Sequence, residues 1–182
     1  MKNIIAIILA FLISNIGFSQ KVMTRTGEIK FEATMPGALD DIAAVNKTVS
    51  CILDQSTGEF VALALVKAFK FKAPLMEEHF NENYIESSKY PKANFKGKIV
   101  NFDASKLTAT KTSYDLDGDL TIHGVTNKIK TKIFISSNDG KMSTSCNLSI
   151  KLKDYKIDIP SLVKSKITET VKMSINFILQ PK

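Results

Sequence analysis

Residues 115–126 read Asp115-Leu116-Asp117-Gly118-Asp119-Leu120-Thr121-Ile122-His123-Gly124-Val125-Thr126, and this stretch decides the class of fold. Leu116, Gly118, Leu120 and Ile122 alternate with Asp115, Asp117, Asp119 and Thr121. A period of two sends successive side chains to opposite faces of a strand, so one face is apolar and the other carries three carboxylates. Gly124-Val125-Thr126-Asn127 then reads as the turn into a second strand, whose apolar face is Ile129, Thr131, Ile133 and Ile135. Asn138-Asp139-Gly140 closes that strand with a tight hairpin turn.

The same alternation extends in both directions. Upstream, Ile29, Phe31, Ala33 and Met35 alternate with Lys30, Glu32 and Thr34 until Pro36-Gly37 breaks the strand. Val49, Cys51 and Leu53 lead through the turn Ser56-Thr57-Gly58 into a longer strand, with Val61, Leu63, Leu65, Phe69 and Phe71 read as its apolar face. Ala93, Phe95, Gly97 and Ile99 form another. Downstream come Cys146, Leu148, Ile150 and Leu152, and finally Ile167, Val171, Met173, Ile175, Phe177 and Leu179. Residues 74–88 interrupt the pattern, and Met76, Phe80 and Ile85 among acids and asparagines fit a short amphipathic helix or ordered loop. The expectation is an all-β domain of about eight antiparallel strands, either a barrel or a two-sheet sandwich.

Lys2, the apolar run Ile4 to Ile13, and the small residues Gly17 and Ser19 before Gln20 have the layout of a cleavable secretory signal. The expected division is a leader over residues 1–19 and one mature domain over 20–182, periplasmic or secreted. An apolar run of about ten residues is too short to cross a bilayer core of roughly 30 Å as a helix. The formal charge of +7 suits transient contact with an anionic membrane surface as well as plain solubility. It comes without a concentrated basic block interleaved with aromatics, which argues against nucleic acid as partner. A homodimer stays open, as does a disulfide between Cys51 and Cys146, which both fall on apolar strand faces.

Four blocks follow one another in fixed order: His79-Phe80, Tyr90-Pro91, Ala93-x-Phe95-x-Gly97, and Gly118-x-Leu120-x-Ile122-x-Gly124-Val125-Thr126. This succession resembles the YceI-like family from about Gly27 to about Leu179. The resemblance implies an exported bacterial protein folded as a lipocalin-like antiparallel β-barrel, with an apolar lumen that binds an isoprenoid or other long-chain lipid. It thereby favours barrel over sandwich. Two departures stand out: Thr26-Gly27-Glu28-Ile29-Lys30-Phe31 lacks the Asp-x-x-His-Ser type of opening, and Asp154-Tyr155-Lys156-Ile157 carries lysine where the family has glycine.

A hydrocarbon chain needs a dry, continuous wall and gains roughly 25 cal/mol per Å² buried. The inward residues expected to supply it are Phe69, Phe71, Phe95, Leu120, Ile122, Leu148, Ile150, Met173 and Phe177. The competing reading is that they close-pack as an ordinary core, which would make the chain a structural or stress-related envelope protein. By resemblance, the loop opened by His79 lies over one end of the barrel, so His79 and Phe80 are expected at a rim or gate. The ring of Tyr90 is expected to cap the apolar end, with Pro91 holding the backbone extended. Gly97, Gly118 and Gly124 are assigned to barrel shape.

Catalysis is not expected. The two histidines, His79 and His123, have no second ligand at metal spacing. Glu77, Glu78, Glu82 and Glu86 read as a wetted face rather than a glycosidase pair. A Gly-x-Ser-x-Gly elbow and a phosphate-binding glycine loop are both missing from the sequence. The ligand expected is a lipid, and no metal or other cofactor is anticipated.

Overall fold

The computed structural model describes residues 21–39 and 41–181, so the expected leader lies outside the described residues. The strands are β1 (Lys21–Thr34), β2 (Ala43–Asp54), β3 (Glu59–Leu65), β4 (Lys70–Phe71), β5 (Lys92–Ile99), β6 (Thr112–Ile122), β7 (Val125–Asn138), β8 (Lys141–Lys151) and β9 (Ile167–Pro181). One short helix, α1 (Pro74–His79), continues into a wider turn over Phe80–Tyr84. The order around the sheet is β1-β9-β8-β7-β6-β5-β3-β2, and β2 pairs back onto β1. Eight antiparallel strands therefore close into a barrel with no free edge, and two-residue β4 extends the line of β3 along β2.

Register follows the alternation in the opening stretch. Asp115, Asp117 and Asp119 on β6 stand opposite Lys132, Lys130 and Lys128 on β7 and pair with them at 2.6, 3.0 and 3.2 Å. Exposed pairs like these contribute little each, but a slip of one residue would break all three and turn Leu116, Leu120 and Ile122 out to water. The β6–β7 turn is tighter than its sequence suggested. His123 and Gly124 alone make it, both at positive φ (52° and 72°), and Val125 already pairs with Ile122. Positive φ at both central residues is the turn that matches strand twist.

The strand after Ser56-Thr57-Gly58 has the opposite phase to the one read from sequence. Phe60 and Ala64 are buried, whereas Val61 and Leu65 are 40% and 49% exposed. Nor does the strand run on to Phe71: a single 3-10 turn over Val66–Ala68 ends it and resets the phase, so that Val66 and Phe69 point in. Fully buried Asn46 on β2 compensates the break. Its amide donates to the Leu65 carbonyl at 3.0 Å, while its oxygen accepts from the Thr48 amide and hydroxyl, both at 2.9 Å.

The two ends of the barrel differ. Where β2 ends and β6 begins, Val22, Leu53, Ile99, Ile135, Met142 and Leu179 fill the interior as close-packed core. Next inward lie the rings of Phe60, Phe95 and Phe177, with centroids 6.2 Å apart for Phe60–Phe95 and 6.0 Å for Phe60–Phe177. Space for them is made by glycine. Gly97 and Gly118 face each other across β5 and β6, and a Cβ on Gly118 would lie 2.6 Å from the Gly97 Cα and 2.6 Å from the Phe95 ring. A Cβ on Gly27 would enter the ring of Phe177.

The Gly118→Ala variant is expected to lose about 1–3 kcal/mol of stability, because the obstacle is backbone and cannot swing aside. Urea unfolding checks this, and an unchanged midpoint would remove the close-approach explanation.

Candidate functional site

Above the three rings the interior is not filled. A cavity of about 500 Å³ occupies the other half of the barrel, lined almost wholly by carbon. Phe95 and Phe177 belong to its floor, and Leu120 and Ile122 from β6, Leu148 and Ile150 from β8 and Met173 from β9 form part of its wall. Clean alternation on those strands makes each of these residues inward-facing. The wall also includes Ile29, Ala62, Ile129 and Ile175. A few polar side chains line the space as well, among them Thr131, Thr144 and, toward the mouth, Lys166 and His79.

A second aromatic layer covers this half. Phe31 of β1, Phe69 and Phe71 from the interrupted strand, and Phe80 after α1 meet at centroid distances of 5.1 to 6.1 Å. Along β1, Phe31 in the roof lies four positions beyond Gly27, beside the floor, roughly 13 Å of extended chain. Exposed Leu75, His79 and Lys166 are part of the lining, so the cavity reaches the surface between α1 and the β8–β9 connection. Two of these rings carry no site signal in the sequence: the inverted phase expected for β3 turns Phe60 outward, and the alternation around Phe31 marks only a strand.

Tyr90 sits elsewhere than expected. Its ring does not line the cavity but lies edge-on to His123, with centroids 4.5 Å apart, over the space a Gly124 Cβ would take. His123 in turn holds the segment after α1 to the barrel. Its Nε2 is 2.7 Å from Glu86 Oε2, and its Nδ1 is 3.0 Å from the Tyr155 carbonyl. Residues of this kind, joined across 32 and 37 positions of sequence, give no local signal.

At its other end the α1 segment is tied by ion pairs. Lys70 reaches Glu77 at 2.5 Å, and Lys72 reaches Asp41 in the β1–β2 loop at 2.6 Å. The Lys70 ammonium holds the Glu77 carboxyl below its usual range, and Lys72 does the same for Asp41. Both cysteines are free and buried. Cys146 lines the cavity and Cys51 does not, and burial pushes both thiols up. Among the described residues, no three His, Cys, Asp or Glu side chains gather in a way that could hold a metal ion.

A closed antiparallel barrel with one half packed and the other an apolar lumen under a short helix is of the lipocalin-like class of barrels. More particularly, the chain belongs to the YceI-like family, whose domain model matches residues 11–179. Similar solved structures include a polyisoprenoid binding domain from Saccharophagus degradans implicated in plant cell wall breakdown. It has a TM-score of 0.76 and 16% identity, over 90% of this chain and 99% of that one. Burkholderia cenocepacia BcnA matches with a TM-score of 0.67 and 15% identity, over 84% and 95% of the two chains. The Campylobacter jejuni YceI protein matches with 0.62 and 17%, over 78% and 85%. At these identities the likeness is one of fold. No curated protein matches the sequence.

Two outcomes are expected. Since the Glu77 and Asp41 carboxyls are depressed, their pairs are intact at neutral pH and are lost as pH falls below the ordinary values of 4.5 and 3.8. Hydrogen-exchange protection over residues 73–80 should therefore drop on acidification before that of β6 and β7. Separately, a small apolar thiol reagent should modify Cys146 slowly and leave Cys51 untouched in the folded protein, as read by peptide mass spectrometry. Equal labelling would contradict the placement of Cys146 on the lumen.

Proposed function

We propose that this protein is an exported, non-catalytic carrier, periplasmic or secreted, that holds an isoprenoid or another long apolar chain in the half-barrel lumen. The observation that carries the reading is an unpacked volume of about 500 Å³ with an apolar lining, within the range of roughly 300–1,000 Å³ common for small-molecule sites. The aromatic floor sets how deep a chain enters, and the layer of Phe31, Phe69, Phe71 and Phe80 covers it. His79 and Lys166 at the mouth suit a polar or anionic headgroup left outside. The polyisoprenoid binding domain from Saccharophagus degradans, alike in fold, supports the choice of ligand class.

The rival reading, a self-filled barrel acting through its surface, has the packed end in its favour, but the cavity beyond the rings is left unfilled. Native mass spectrometry of protein from its own host, followed by titration with prenyl lipids and fatty acids, separates the two. A retained or acquired lipid mass is expected. Leu148→Trp, which places an indole in the lumen, should weaken uptake about tenfold or more with the fold retained by circular dichroism. A wild-type protein that neither retains nor takes up any such chain would sink the carrier reading.

A further inference from the structure

Among the described residues, three leucines project from connecting segments with little cover: Leu39 is 104% exposed, Leu162 91% and Leu75 60%. A single exposed leucine means little. These three lie on adjoining segments around the lumen entrance. Leu39 is in the β1–β2 loop, Leu75 in α1, and Leu162 in the 3-10 turn Ser161–Val163 of the β8–β9 connection. The Lys72–Asp41 pair at 2.6 Å joins the approach to α1 to the β1–β2 loop. The Met35 amide, donating to the Lys166 carbonyl at 2.9 Å, joins that loop to the β8–β9 connection. Leu75 and Val163 are themselves part of the cavity lining, so the leucine rim and the lumen wall are continuous.

Charge selects the partner. The β8–β9 connection exposes Lys153, Lys156 and Lys164 against Asp154 and Asp158. On the α1 side, Glu77 and Asp41 are already matched by Lys70 and Lys72, while Glu78 and Glu82 stay exposed. The positive side of the mouth is therefore the one that carries Leu162 and adjoins Leu39.

We propose that the lumen mouth docks on an anionic lipid bilayer, with Leu39 and Leu162 entering the interface, the lysines of the β8–β9 connection on the headgroups, and Leu75 at the entrance. Apolar side chains inserted beside basic ones are how peripheral proteins hold a membrane surface. The inference rests on the carrier reading, since an apolar chain leaving a membrane through this mouth need not cross water.

Flotation with vesicles of phosphatidylcholine, with and without phosphatidylglycerol, tests it alongside uptake of a soluble fatty acid. The protein should float with the phosphatidylglycerol vesicles and detach as salt rises. Leu39→Asp with Leu162→Asp should weaken flotation about tenfold or more, and Lys156→Glu with Lys164→Glu should weaken it as well. Fatty-acid uptake by both double variants should match wild type, which also verifies folding. A wild-type protein that takes up fatty acid but does not float, or leucine variants that float as well as wild type, would overturn docking and leave the carrier reading standing. Loss of a dimer in the leucine variant by sedimentation velocity, without vesicle binding by wild type, would assign the leucines to a second copy and overturn it too. Flotation that behaves as expected without any uptake would uphold docking and count against the carrier reading.

Discussion

The lumen depends on one steric constraint: three aromatic rings lie across the barrel at mid-height because the backbone beside them carries no Cβ. Phe95 folds over the facing pair Gly97 and Gly118, and Phe177 lies against Gly27. Larger residues at those glycines would collide with the rings and, at Gly97 and Gly118, with the facing backbone. With the rings in place, Leu53, Ile99, Ile135 and Leu179 pack below them with no exposure. One short set of contacts thus divides a continuous barrel into a half that holds the fold and a half that stays open.

The two layers bounding the lumen are held differently. The floor is part of the strands themselves, tied by ladder hydrogen bonds and core packing. The roof hangs on the segment between β4 and β5, which includes no buried residue in α1 or the turn after it. That segment is anchored by Lys70–Glu77, Lys72–Asp41 and His123–Glu86 and by Phe80, which packs against Phe31, Phe69 and Phe71. Local stability follows buried apolar contact, so the roof opens at lower free energy than the floor. A barrel that must admit a long chain and keep its shape needs this inequality in this direction.

The sequence made the wall legible and the layers much less so. On β6, β8 and β9 apolar and polar residues alternate, and the inward set follows directly. On β3 every residue from Phe60 to Leu65 is apolar, so periodicity has no phase to report, and bulk misleads. The larger Val61 and Leu65 lie outside, and small Ala62 and Ala64 face inward, where a lumen needs thin walls. The 3-10 turn at Val66–Ala68 carries no glycine or proline, and the residue that makes it tolerable, Asn46, is on another strand. A tyrosine beside a re-entering loop suits a cap, but the partner of Tyr90, His123, is brought there by a hairpin more than thirty residues later. The nine inward residues expected at a lumen all line the cavity, and the packed core is built from other inward residues nearer the opposite end of the barrel, a distinction that depends on height and not on face.

Why the open half calls for an apolar occupant rather than water follows from the chemistry of its wall. A buried water needs two to four polar partners, and Thr131 and Thr144 are dispersed among aliphatic and aromatic side chains, with Thr131 already bonded to the Asn147 carbonyl at 3.2 Å. Water inside would forgo hydrogen bonds, and an empty volume forfeits dispersion contacts. Taken as a closed void at about 24 cal/mol per Å³, about 500 Å³ gives an upper bound on the order of 10 kcal/mol, comparable with the whole net stability of a domain. While the lumen is vacant, the fold rests on the strand ladders and on the side chains that pack without it, below the rings and around the mouth. A chain that filled the lumen would recover part of that energy, so under the proposed carrier role ligand binding would stabilise the upper barrel.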